Sequence, residues 1–106
     1  MGIINKDVFT TRYGLELTNT YISLGNNNIE LRKERETDVD DNIIEKYTLT
    51  GIFDIWLSKE FKNKGKNPFT SYVIHKVLST NEITTNLYNI LYADLKKKYT
   101  NTIDDL

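Results

Sequence analysis

The chain has no cysteine, a single proline and a single histidine among its 106 residues. Without cysteine it can build no disulfide framework, no thiolate metal site and no cysteine nucleophile. That absence fits a reducing cytoplasm or a stable exposed particle equally well. Neither sign of charge dominates: 14 basic and 15 acidic residues leave a net charge of −1. Such a balance exerts no global pull toward nucleic acid or an anionic bilayer. No apolar run approaches the roughly 20 residues of a membrane-spanning helix, so no membrane role is expected. The first residues lack the cationic and apolar regions of a secretion signal. Lys6 stands where a myristoylation motif beginning at Gly2 requires Ser or Thr. The expectation is a protein made and used without translocation.

What the chain does have is an ordinary globular balance, 39% hydrophobic and 27% charged, which argues against wholesale disorder. One domain, residues 1–106, is expected from the length. Asn, Ile, Lys and Tyr supply 42 of the 106 residues. All four have A/T-rich codons, which points to a low-G+C bacterium, its phages or a large virus as the source.

The most informative stretch is 47–58, because it starts one-sided and becomes apolar on both faces. In a pleated strand Tyr47, Leu49, Phe53, Ile55 and Leu57 share one side. Ile52 and Trp56 share the other with Thr48, Thr50, Asp54 and Ser58. The segment 70–78 repeats the pattern: Tyr72, Ile74 and Leu78 lie with Lys76, against Val73, His75 and Val77 opposite. A small sheet buries one face well, so apolar residues on the second face call for a partner. Ile52, Trp56, Val73, His75 and Val77 are therefore the candidate interface, with Trp56 as its anchor.

Leu15 and Leu17 mark a short strand, and Gly25 with Asn26, Asn27 and Asn28 reads as the turn of a β-hairpin between 21–24 and 29–32. The charged segment 33–46 reads as an exposed loop, and 59–68 as a second polar loop. Ser79 and Glu82 match a capping box. Behind it Ile83, Leu87, Ile90, Leu91 and Leu95 recur at helical spacing, predicting a helix over 79–99. Residues 1–11 read as an N-terminal arm or a frayed start, 12–78 as the sheet region, and 100–106 as a frayed tail. The fold class expected is α+β, an antiparallel sheet of about five strands with one C-terminal amphipathic helix packed on it.

Candidate chemistry is thin. Asp38, Asp40 and Asn42 begin like a calcium loop, but Ile43 and Leu49 stand where that loop needs Gly and Glu. Solvated loop acids in 36–41 are the better reading, and no metal or cofactor is expected. His75 has strand neighbours and no evident nucleophile or orienting residue around it, so a packed or interface histidine is expected. Lys59, Lys62, Lys64 and Lys66, with Phe61 and Phe69 nearby, form the one basic and aromatic patch suited to nucleic acid. Lysines that keep a loop in water and discourage sheet-edge pairing account for it more simply.

The residues 13–17, 19–24 and 47–56 give the chain an organisation that resembles small β-rich structural proteins of tailed-phage virions, of the collar, ring, tail or baseplate type. The resemblance spans about residues 13–99 and transfers no functional residue. It implies a repeated subunit working in rings or trimers with other virion proteins, assembled in the host cytoplasm and located in the virion. The function expected is thus a non-enzymatic homo-oligomeric structural subunit. The alternatives are an accessory protein binding a host protein through the same surface and, after that, a nucleic-acid-binding module using the 59–66 loop.

Overall fold

The structure is a computed structural model describing residues 2–105, with the backbone alone described for 25–27. Its elements run β1 (Gly2–Asn5), β2 (Phe9–Thr10), β3 (Glu16–Leu17), β4 (Thr20–Thr37), β5 (Ile43–Trp56), α1 (Lys59–Asn63), β6 (Thr70–Leu78), a 3-10 turn (Glu82–Thr84), α2 (Leu87–Lys98) and β7 (Thr102–Asp105). Five strands form an antiparallel sheet in the order β6-β5-β4-β1-β7, while β2 and β3 make a separate small hairpin. With α2 on one face, this is the expected α+β class.

The membership of the sheet differs from the expected set. Residues 2–5 are not an arm: β1 is an interior strand between β4 and β7, with Ile3 and Asn5 buried. The tail is not frayed either, since β7 pairs with β1 along its length. It is fastened by Lys96 to Asp104 at 2.7 Å and by Lys59 to Asp105 at 2.7 Å. Both strands are stabilised by pairing across almost the whole chain, which no local pattern encodes.

The hairpin expected around Asn26 and Asn27 does not form. Backbone 25–27 continues β4, and the register moves from Leu24 opposite Phe53 to Ile29 opposite Gly51. Five steps on β4 thus match two on β5, a bulge of three extra residues. The odd number matters. Ile22 and Leu24 would face away from Ile29 and Leu31 in an uninterrupted strand, and the bulge restores them to one face. Where the ladder is broken, the backbone N–H of Leu24 donates to the Tyr92 hydroxyl at 3.1 Å.

The charged segment 33–46 is mostly strand rather than loop. Beyond Tyr47, where β6 ends, β4 and β5 continue as a two-stranded ribbon closed by residues 38–42. Its charges sit across from one another: Lys33 and Arg35 reach Glu45, and Lys46 reaches Glu36. The ribbon elongates the molecule to 53 × 28 × 23 Å. The radius of gyration is 16.6 Å, against about 13 Å for a compact chain of this length.

Leu49, Phe53 and Ile55 of β5 face α2 and are buried with Ile3, Ile22, Ile74, Leu78, Leu91 and Leu95. Leu57, expected on this face, lies past the strand end and is partly exposed. The helix is shorter than predicted. The capping box forms, Glu82 accepting from the Ser79 N–H and Ser79 Oγ from the Glu82 N–H, but it closes only the turn that leads into the 3-10 segment. Thr84 and Thr85 then bond their hydroxyls back to the carbonyls of Asn81 and Glu82, a local alternative to helix. Asn86 caps α2 instead, its side chain accepting from the N–H groups of Tyr88 and Asn89.

Helix and sheet meet tightly at Gly51, where a Cβ would lie 2.8 Å from Leu91 Cδ1 and 2.9 Å from Cδ2. Leu91 is fully buried and has nowhere to retreat. Gly51→Ala is expected to destabilise the fold by about 1–3 kcal/mol through overpacking, read as a lowered urea midpoint. In a Leu91→Ala background, itself costing about 2–5 kcal/mol, the Gly51→Ala penalty should largely vanish. Equal penalties in both backgrounds would contradict this packing.

Candidate interaction surface

The sheet face away from α2 divides into two halves. At the end where β1 and β7 join, Trp56 stands beside Tyr21 with ring centroids 6.3 Å apart. The segment after β5 folds back as α1, capped by Ser58, whose Oγ accepts from the Phe61 N–H. It brings Lys62 over both rings, 5.0 Å from the Tyr21 centroid and 5.4 Å from that of Trp56. The Trp56 indole N–H donates to the Lys66 carbonyl at 3.0 Å. Trp56 is therefore only 8% exposed. It is not the anchor of an open surface, because the expected polar loop contains a helix that covers it.

Tyr21 is also spoken for. Its hydroxyl donates to Asp105 at 2.9 Å, and burial, reinforced by that carboxylate, drives the phenol pKa far above its ordinary range. Asp105 is correspondingly held below the usual carboxylate range by its bonds from Lys59 and Tyr21. Two of the four candidate nucleic-acid lysines are thus engaged within the chain, the exposed Lys59 on Asp105 and the half-buried Lys62 on the aromatic pair. Lys64 and Lys66 are exposed. Phe69 packs edge-on against Phe9 at 5.5 Å rather than beside a lysine.

The other half of this face is uncovered, and here the structure does gather the remaining candidates. The register places Ile52 opposite Val73, Thr50 opposite His75 and Thr48 opposite Val77. Ile52 is half-buried, whereas Val73 is 44% and Val77 64% exposed. His75 Nδ1 lies 3.0 Å from Thr50 Oγ1, a hydrogen bond between neighbouring strands. No cluster of three His, Asp or Glu side chains suited to a metal occurs among the described residues. These residues also border a sheet edge, since among the described residues β6 pairs only with β5.

Lys76, Lys97 and Lys98 line the helix side of that edge, but its open face lacks the usual defence. Natural edge strands carry lysines, prolines or bulges that resist pairing, yet β6 presents Ser71, Val73, His75 and Val77 outward on the open face. Its one lysine, Lys76, turns to the helix side and pairs with Asp94 at 3.0 Å. The opposite edge, β7, ends in Asp104 and Asp105.

Two further features were not anticipated. The acidic loop is a built turn: Asp38 Oδ1 accepts from the N–H groups of Asp40 and Asn42, both at 2.9 Å. Those bonds, Asn42's foremost, hold the Asp38 carboxyl below the usual range, and Asp41 adopts φ +60°. At the far end of the molecule, an open cavity of about 500 Å³ is lined by Phe9, Tyr13, Leu15, Leu17, Leu57 and Phe69 among others. The available signal was Leu15 and Leu17 sharing one face of a hairpin too small to cover them. Against protein-family models, curated proteins and solved structures alike, the chain finds no match.

Lys76 fastens the edge strand to α2, and its hydrogen bond is the main reason the Asp94 carboxyl sits below its ordinary value, with Lys97 adding to it. A depressed folded-state pKa gives stability that is complete above the unfolded value of about 3.9 and is lost as pH falls through the folded value. Asp94→Asn should therefore flatten the acid limb of the stability profile. Between about pH 7 and pH 2 the wild type should lose more urea resistance than the variant; identical losses would refute the role assigned to this pair.

Proposed function

We propose that the chain is a non-enzymatic assembly subunit that joins copies of itself and other proteins through the β6 edge and its open valine face. The observation that carries this reading is the nine-residue edge strand, undefended on its open face, with Val73 and Val77 exposed beside Ile52. Antiparallel pairing of β6 with a second β6 would satisfy the outward backbone groups of both copies. It would also extend the apolar strip across the junction. The other edge, β7, is only four residues long and its two aspartates are held by Lys96 and Lys59, a poorer template for a second strand.

A repeated subunit of a phage virion, of the ring, collar or tail type, is the setting proposed for this chemistry. It rests on the resemblance in strand organisation and on the A/T-rich codon bias. Binding of a host protein would use the same edge, with an extended segment of that protein in place of the second copy. Nucleic-acid binding is the weaker reading, because Lys59 and Lys62 are already engaged on the sheet face.

Light scattering on purified protein at micromolar concentration should give a mass of two chains or more. Val77→Lys, at an exposed position outside the core, should lower that mass while leaving the urea midpoint unchanged. A wild type that stays monomeric, or an oligomer indifferent to both Val73→Lys and Val77→Lys, would overturn the edge as the joining surface.

A further inference from the structure

We infer that the ribbon tip of one copy seats in the apolar groove at the base of the next, a second and head-to-tail contact. The inference rests on the assembly reading but uses surfaces separate from the β6 edge. Val39 crowns the tip and is 99% exposed, flanked by Asp38, Asp40 and Asp41 with no basic residue in 38–43. An apolar side chain presented this way serves nothing within its own chain. The tip nevertheless keeps a defined shape, because Asp38 spends its carboxylate on the turn and leaves Asp40 and Asp41 as outward charges.

The groove offers the complementary chemistry. Its wall of Phe9, Tyr13, Leu15, Leu17, Leu57 and Phe69 is apolar, and Arg12 stands on its rim, stacked 4.9 Å above the Tyr13 ring. The segment 58–68, between wall residues Leu57 and Phe69, adds the exposed Lys64 and Lys66, Lys59 and Lys62 being engaged on Asp105 and the aromatic pair. The tip, with three aspartates, carries −3. A volume of about 500 Å³ lies within the roughly 300–1,000 Å³ typical of occupied clefts.

A tip cannot reach its own groove. The 14 residues of β5 separate them, roughly 45 Å at about 3.3 Å per residue. The occupant must then come from a second copy, and each copy has one tip and one groove. The contact is heterologous, so it closes into a ring or propagates as a filament according to the rotation between copies.

The cysteine-free chain permits a direct test by introducing Val39→Cys and Leu15→Cys together. Both positions are exposed, so far-ultraviolet circular dichroism and the urea midpoint should match the wild type. On mild oxidation the double variant should give a ladder of disulfide-linked multimers on a non-reducing gel, with 39–15 linkages identified by peptide mass spectrometry. Mixing the two single variants should give the mixed dimer and stop there. Adding Asp40→Lys and Asp41→Lys should abolish the ladder, whereas adding Val77→Lys should leave it intact and so separate this contact from the β6 edge. Only 39–39 or 15–15 linkages, or a ladder that survives both charge reversals, would overturn the proposal.

Discussion

The fold depends on the bare backbone at Gly51. With no Cβ there, Leu91 descends onto the middle of β5, and that approach sets both the height and the rotation of α2. Three other attachments follow from this seating. Tyr92 drops edge-on against Phe53 at 5.0 Å and offers its hydroxyl to the Leu24 N–H beside the β4 bulge. Asp94 meets Lys76 on the β6 side, and Lys96 meets Asp104 on the β7 side. A single helix thereby fastens both edges of the sheet, which explains how 12 helical residues suffice for a five-stranded layer. Dispersion and burial do most of the stabilising at Leu91 and Leu95, which are removed from water entirely. The ion pairs chiefly orient what burial holds, since partly exposed pairs contribute little on their own.

How much of this was legible depended on the range of the interaction. Alternation over 47–56 and 70–78 announced β5 and β6 and which residues share each face. The leucine spacing announced α2 and its buried stripe. Local chemistry misled where a tertiary partner decided the outcome. Gly25 and the asparagines do mark an interruption, but the change in phase between Leu24 and Ile29 suits a hairpin and a bulge alike, and only the pairing of both flanks with β5 decides for the bulge. Residues 33–37 and 43–46 look like loop by charge density, but each sign has its opposite across the ribbon. Thr84 and Thr85 stop the first turn because their hydroxyls compete for backbone carbonyls, so the capping box and the helix it seemed to start are different elements. β7 was invisible because its register is set by residues about a hundred positions away, and β1 because it is a four-residue strand held between β4 and that distant partner.

The interaction surface was legible in the same uneven way. Ile52, Val73, His75 and Val77 came together because strand pairing translates alternation directly into a face. Trp56 left that group because α1, hidden in a lysine-rich segment, folds back over it. The four lysines from 59 to 66 have charges spaced for two purposes at once. Lys59 and Lys62 close the lower half of the sheet, while Lys64 and Lys66 remain on the solvent side. A cation placed over two buried rings, as Lys62 is, also shields that aromatic pair from water.

The asymmetry of the two sheet edges bears on what kind of assembly the chain can support. Pairing between two β6 strands is isologous, because each copy offers the same surface, and it closes at two copies. Such a contact alone builds a dimer and nothing larger. Growth requires a second contact, and the one inferred joins unlike features of the elongated molecule, an acidic tip and a groove with Arg12 on its rim. A two-fold edge contact combined with a head-to-tail contact generates either a closed ring of dimers or an extended ladder. The rotation imposed by one step of tip into groove selects between them. The stiffness of the β4–β5 ribbon is then the quantity that matters, because a floppy arm would leave that rotation undefined. Its ladder of backbone pairing, from Lys33 opposite Tyr47 to Thr37 opposite Ile43, and the Asp38 turn define its course, with the cross-strand charge pairs aligned along it.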